Sequence, residues 1–407
     1  MADKLIITLF FVLLLLSLWT PTEQLGDPTW MGLARYIVFL MLSGAILVIG
    51  YIKVGLRIPA GIEVFLLVVF LSYICLSVFW GVQSADSYIK AVLILNALLT
   101  SLAIANILPL GTSLRVVFSA TSTFVVLSVF TALFIPSIGV EDGWEHFGKW
   151  RGLAGQKNGL ASVATFSLIA AVTLPLKLCS HPFVQLFTLG GRIAMVCIAF
   201  LAVYMSGSRG GQLIAAVGIF SVIIASFPLI IQRLLVVVGV LFTIPVANIA
   251  ATTFVLDADK IGVAGVTVDT NSRVKIWEYG FSELSGHELL GFGLSGFWTE
   301  ERLISFKDRY GWVLDNFHNG YITLIIENGV IGFILFSLAI LSVYLLLIVS
   351  IGFLKDRYIS LSFAYINMYL VINLVENEIG RSTSLLVFIF LVLTFSLRKH
   401  VSHIQNI

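Results

Sequence analysis

The chain runs to 407 residues, 59% of them hydrophobic and only 11% charged, with a mean hydropathy of +1.03. A soluble domain carries roughly 25% charged residues, so 24 Lys and Arg with 22 Asp and Glu are too few to cover a 44.6 kDa globule in water, and lipid must cover most of the surface. The net charge of +2, scattered along the chain, gives no footing for nucleic acid. Cys75, Cys179 and Cys197 sit in apolar runs without C-x-x-C spacing and read as small hydrophobes.

A helix crossing hydrocarbon needs about 20 mostly apolar residues. About twelve such runs occur, near residues 4–20, 33–51, 60–80, 88–108, 115–138, 158–176, 190–206, 211–227, 232–254, 320–350, 359–375 and 383–397. The first follows Lys4 as a signal peptide would, but no small-residue cleavage site precedes Pro21, so it reads as an anchor. Alternate crossings put Lys4, Lys53, Arg57, Arg115, Lys177, Arg192, Arg233, Lys355, Arg357, Arg398 and Lys399 on one side, with few acids. Positive-inside logic makes that side cytoplasmic, with both termini inside. The expected fold class is therefore an all-α polytopic membrane protein. It divides into N-terminal membrane helices (1–138), an external loop of mixed charge (139–157), central membrane helices (158–254), a large external loop (255–319) and C-terminal membrane helices (320–407). The large loop holds the helix-compatible stretch SRVKIWEYGFSEL and a Gly-rich turn, GFGLSGFW, and reads as an ordered cap.

Of the 24 basic residues, 11 follow the insertion rule and 13 lie outside. Those outside are informative, because insertion offers no reason for them. Arg209, in the short hairpin YMSGSRGGQL, reads either as an interfacial arginine reaching into headgroups or as part of an anion site. For the second reading, the neighbouring glycines leave backbone N–H groups accessible, and Ser206 or Ser208 caps a helix N-terminus that favours negative charge. Arg273 shares a helix face with Trp277, and alone it reads equally as an exposed arginine paired with a loop acid. In KWRGLAGQKN, Lys149 suits internal pairing with the preceding EDGWEH run, whereas Arg151 and Lys157 suit phosphate contact at the mouth of a membrane helix. His318 heads a long apolar helix, either as a packed interfacial residue or as a general base for a hydroxyl. Asn319 caps that helix, and Glu327 and Asn328 suit mutual hydrogen bonding. Asp257-Ala258-Asp259 has the D-x-D form of metal-dependent transferases but lacks a soluble nucleotide-binding domain. The EDGWEH run lacks a recognised ligand spacing. Neither a metal nor a cofactor is expected.

Taken in order, these residues resemble the O-antigen ligase and polysaccharide polymerase superfamily of membrane glycosyltransferases, over roughly residues 150–335. The resemblance rests on Ser206, Ser208 and Arg209 ending one helix, and on Arg273 and Trp277 in the large loop. Gly291, Gly293, Phe297 and Trp298 follow, and HNGYITLIIENGVIG closes the loop. WRGLAGQKNGLA is similar to the corresponding stretch of exopolysaccharide polymerases, where a basic residue followed by Asn, here Lys157 and Asn158, opens a helix; Gln156 stands where many such relatives have His.

The resemblance implies a lipid-dependent, GT-C-like fold in a bacterial inner membrane with the site facing the periplasm. The donor would be an oligosaccharide on polyprenyl diphosphate and the acceptor a second lipid-linked saccharide, with a flippase and a chain-length regulator as further partners. Arg209 and Arg273 match the arginines expected at the diphosphate, and His318 the histidine expected near the acceptor. Arg151, Lys157, Asn158 and Asn319 are further substrate-binding candidates. Trp277, Trp298, Phe317 and Tyr321 are candidates for stacking on sugars. The expected activity is polymerisation of repeat units by inverting transfer. The competing readings are an O-antigen ligase acting on a lipid A core and a transporter of an anionic solute.

Overall fold

The structure is a computed structural model. It describes residues 2–18, 29–55, 57–82, 84–143, 146–175, 182–227, 230, 260–263, 266–269, 271–312, 316–351, 356–381 and 384–405. Helices α1 (Ala2–Leu18), α2 (Thr29–Val54), α3 (Ile62–Leu76), α4 (Ala85–Ile107) and α5 (Leu110–Phe134) lead into the single turn α6 (Pro136–Gly139). Then come α7 (Lys157–Thr173), α8 (Pro182–Ser206) and α9 (Arg209–Ser226). A hairpin of β1 (Lys260–Val263) and antiparallel β2 (Val266–Asp269), with Lys260 opposite Asp269, precedes α10 (Asn271–Ser282) and α11 (Glu300–Tyr310). The chain finishes with α12 (Gly320–Ile351), α13 (Arg357–Ile372) and α14 (Leu385–Gln405).

Among the described residues, eleven of the predicted spans are helices, and eight of these are long and apolar enough to cross a membrane. The span predicted near 232–254 and the Asp257-Ala258-Asp259 triplet lie outside the described residues. The fold is an all-α polytopic membrane protein carrying one short hairpin. Hydrocarbon offers the backbone no hydrogen-bond partners, so apolar runs of this length satisfy their own N–H and C=O groups as helices. Their outward faces keep apolar side chains such as Phe130, Phe134 and Phe200 exposed, as lipid contact requires.

The bundle is stitched by α7, α9 and α13, which pack on one another. Gly211 faces Ala161 so closely that a Cβ would lie 2.3 Å from the Ala161 Cβ, the close approach small residues allow between membrane helices. Tyr365 donates to the Phe166 carbonyl at 2.8 Å, and their rings lie 4.6 Å apart. Described members of the set of cations expected on one side make contacts with neighbouring helix ends. Lys53 pairs with Asp3, Arg115 meets Tyr358, His400 meets Asp356 at 3.0 Å, and Lys399 donates to the carbonyls of Ala105 and Asn106.

The run predicted as one span over 320–350 is interrupted. Gly329 has φ 66° and ψ −173°, a conformation that favours glycine, and a Cβ there would fall 2.2 Å from the Leu289 carbonyl oxygen. The break leaves carbonyls of the first turns without intrahelical donors. The Gly-rich turn of the cap supplies them: Phe292 N–H donates to Ile326 O at 3.0 Å and Gly293 N–H to Glu327 O at 2.7 Å, while Val330 N–H donates to Glu288 O at 2.9 Å. Glu327 and Asn328 therefore do not satisfy each other. The Glu327 carboxylate accepts from Ser295 N–H at 3.1 Å, and the Asn328 carbonyl accepts from Tyr73 at 3.0 Å.

The cap has its own core, in which Tyr279, Phe297, Phe306 and Phe317 are fully buried. Arg302 lies 4.2 Å over the Phe292 ring and 5.2 Å from the Phe297 centroid. Phe317, one of the sugar-stacking candidates, is thereby a core residue, and half-buried Trp298 packs at 4.9 Å from both Phe297 and Phe317.

Candidate functional site

Arg209 is the first residue of α9 and is exposed. Its position follows from the cap before it: the Ser208 hydroxyl oxygen accepts from Gly211 N–H at 3.1 Å, fixing the helix start. The loop over 139–157 folds onto this start, with Trp150 N–H donating to Met205 O at 3.1 Å and the Lys149 stem running past Gly207. Lys149, Lys157 and Arg209 stand near enough for the other two charges to act on Lys157. The Lys157 ammonium also meets His146 Nδ1 at 3.4 Å. Three cations gathered where α7 and α9 begin make an electropositive surface suited to an anion.

Arg151 points elsewhere. It is only 4% exposed, and its guanidinium donates to Ile138 O at 2.8 Å and Ser137 O at 3.1 Å, with Glu141 at 3.4 Å. Its expected phosphate contact is corrected to a brace of the external loop: its donors are engaged and it is enclosed. Glu141 completes the brace by accepting from Lys157 N–H at 3.1 Å through its other oxygen. Among the described residues, the predicted pairing between EDGWEH and KWR forms through Arg151, with Glu141 and Asp142.

A chain of polar contacts runs from α9 across the site. The Ser208 hydroxyl donates to Asn158 Oδ1 at 2.8 Å, and Asn158 Nδ2 donates to Glu376 Oε1 at 2.7 Å. The other oxygen, Glu376 Oε2, lies 3.8 Å from His318 Nδ1, a buried nitrogen with no hydrogen-bond partner in the structure. Nδ1 thus faces the carboxylate from beyond hydrogen-bond distance, which leaves Nε2 as the nitrogen to meet a hydroxyl if the imidazole acts as a base. His318 also has φ 48°, an uncommon conformation outside glycine, held by its N–H donating to Asn316 Oδ1 at 2.6 Å.

Asn319 does cap α12, its Oδ1 accepting from Tyr321 N–H at 3.0 Å and Ile322 N–H at 3.1 Å while its Nδ2 holds Leu374 O. The Tyr321 hydroxyl donates to Leu370 O at 2.8 Å and ties α12 to α13. Trp277 donates to Phe317 O at 2.7 Å, which fastens α10, and with it Arg273 one turn earlier, to the residue before His318. Among the described residues, neither the Arg209 nor the Arg273 guanidinium makes a hydrogen bond or ion pair with the protein.

Glu376 was not singled out from sequence. It belongs to the short connection over 373–384, clamped on the start of α12 by Gly320 N–H donating to the Asn373 and Glu376 carbonyls at 2.8 and 3.0 Å. Beside it, Glu378 is buried and bonded to Ser384 and Arg381, and desolvation pushes its carboxyl above the usual range, with Arg381 opposing. The only sequence signal was a pair of acids in a short external turn, where acids are ordinary. A cleft opens here between this connection and the ends of α1, α2 and α7. It is lined by Arg35, Gln156, Asn158, Glu376, Glu378 and Arg381, among others.

Residues 193–337 match the family model described as O-Antigen ligase. Over that segment, which includes Arg209, Arg273 and His318 and ends before Glu376, the chain is similar to the O-antigen ligase and Wzy-like superfamily. No curated protein matches the chain.

Proposed function

We propose, from this similarity, that the protein is a polymerase joining polyprenyl-diphosphate-linked oligosaccharide repeat units into a surface or secreted polysaccharide at the outer face of the bacterial inner membrane. The observation that supports it most is the pairing of unengaged cations with a carboxylate-faced histidine. The contacts from Ser208 through Asn158 to Glu376 link the start of α9, where Arg209 stands, to His318.

In this reading Arg209 and Arg273 bind the donor diphosphate, with Lys157 beside Arg209. The acceptor hydroxyl attacks the anomeric carbon from the face opposite the diphosphate, so the new C–O bond forms as the bond to the diphosphate oxygen breaks and the configuration inverts. The electron pair passes to the diphosphate, whose growing charge the arginines stabilise in a partly dry site. The acceptor proton passes to His318 Nε2, and Glu376 stabilises the imidazolium that forms.

Arg209→Ala or Arg273→Ala is expected to abolish polymer while the protein remains in the membrane; long-chain polymer in both variants would overturn the reading. The matched family description favours a second reading, transfer of finished chains to a lipid A core. Deletion separates them: short chains indicate a polymerase, and full-length but unattached chains indicate a ligase.

A further inference from the structure

We infer that the cleft beside Glu376 is the acceptor-saccharide subsite; this rests on the glycosyl-transfer reading. The cleft lies against the base, because Glu376 belongs to both: Oε2 faces His318 at 3.8 Å, while Glu376 itself lines the cleft with Asn158. Asn158, which lines the cleft, joins it to the start of α9 by reaching Ser208 with Oδ1 and Glu376 with Nδ2.

The lining suits an uncharged polyol better than a second diphosphate. Arg35 and Arg381 face one another closely enough for their charges to interact, and Glu376 and Glu378 stand among them, so the four formal charges balance. Carboxylates and guanidinium groups each offer paired acceptors or donors to neighbouring hydroxyls, and the Gln156 amide offers both kinds. Leu18, Val163, Leu385 and Leu386 supply apolar surface for the C–H faces of a ring. Gln156 is exposed, and none of the hydrogen bonds among the described residues uses its side chain. The cleft residues come from outside the segment that matches the family, whereas Arg209, Arg273 and His318 lie inside it.

The test uses the full chain in nanodiscs and the lipid-linked repeat unit that accumulates in cells lacking the protein. That unit serves as donor, and the oligosaccharide released from it by mild acid serves as soluble acceptor. Gln156→Leu and Arg381→Gln are expected to raise the KM for the soluble acceptor about tenfold, the effect of one lost hydrogen bond to a charged or amide group. Binding of farnesyl diphosphate should be unchanged in both. Arg209→Ala should show the reverse, losing farnesyl diphosphate binding. Wild-type acceptor KM in Gln156→Leu would overturn the subsite, and so would an equal rise in farnesyl diphosphate Kd in that variant. If Arg381→Gln loses both activities through misfolding, the Gln156→Leu result decides alone. Retained diphosphate binding and full elongation in Arg209→Ala would instead overturn the underlying reading of the cations.

Discussion

Asn158 is the joint on which the two halves of the site turn, and replacing it separates a structural amide from a working one. Its amide oxygen accepts from Ser208 at 2.8 Å and its amide nitrogen donates to Glu376 at 2.7 Å. Asn158→Ala removes the donor to a carboxylate whose side chain is only 13% exposed. A hydrogen bond to a charged group contributes about 1.5–3 kcal/mol, so elongation should fall about 10- to 100-fold if Glu376 must hold its place to orient His318. Asn158→Asp places a second carboxylate at the same short distance. Two carboxylates so close do not both ionise, and with one proton between them the hydrogen bond forms again. Activity of the Asp variant should therefore rise as pH falls, relative to wild type, because acid supplies the shared proton, and should collapse as pH rises and the pair loses it. Asn158→Ala should show no such rescue. Elongation of lipid-linked repeat units measured from about pH 5 to 8.5 distinguishes the cases. A wild-type rate for Asn158→Ala, or parallel pH profiles for the wild type and the Asp variant, would refute the relay.

Arg151→Ala should lower the thermal midpoint and the membrane level of the protein, with a loss of about 3 kcal/mol, because it strips donors from Ile138 O, Ser137 O and Glu141 in a buried site. A stable but inactive Arg151→Ala protein would return that residue to the substrate. Gly293→Ala should destabilise by about 2 kcal/mol in a thermal or denaturant assay, since its φ is 80° and a Cβ would lie 2.6 Å from Gly81 Cα and Ser77 O. Glu378 binds its proton more tightly folded than unfolded, so its contribution to stability is largest in acid and is lost as pH rises through the raised native pKa. Glu378→Gln should therefore gain stability relative to wild type as pH rises from 5 to 8, read from paired melting curves at each pH; a constant difference would contradict the burial of a charge-averse carboxyl.

Much of this protein is determined by its sequence alone, because the physics involved is one-dimensional. A run of about 20 apolar residues has a single viable backbone in lipid, so the number and place of the spans follow from composition along the chain. The sorting of charge onto alternate connections likewise needs no packing, and it led to Arg209, Arg273, Lys157 and His318. Tertiary structure decided what those residues face. Arg151 and Lys157 stand six residues apart in the same stretch, yet one guanidinium is enclosed by the loop it braces and the other cation remains at the helix mouth. The predicted single helix over 320–350 breaks at Gly329 because the cap, arriving from 288–293, supplies the hydrogen bonds that the break demands. Glu376 became visible only when the connection before α14 closed on the start of α12, bringing one carboxylate to His318, 58 residues away, and to Asn158, 218 residues away. Hydropathy acts locally and is legible in order along the chain. A hydrogen bond between remote residues depends on how helices pack, and no local pattern records that.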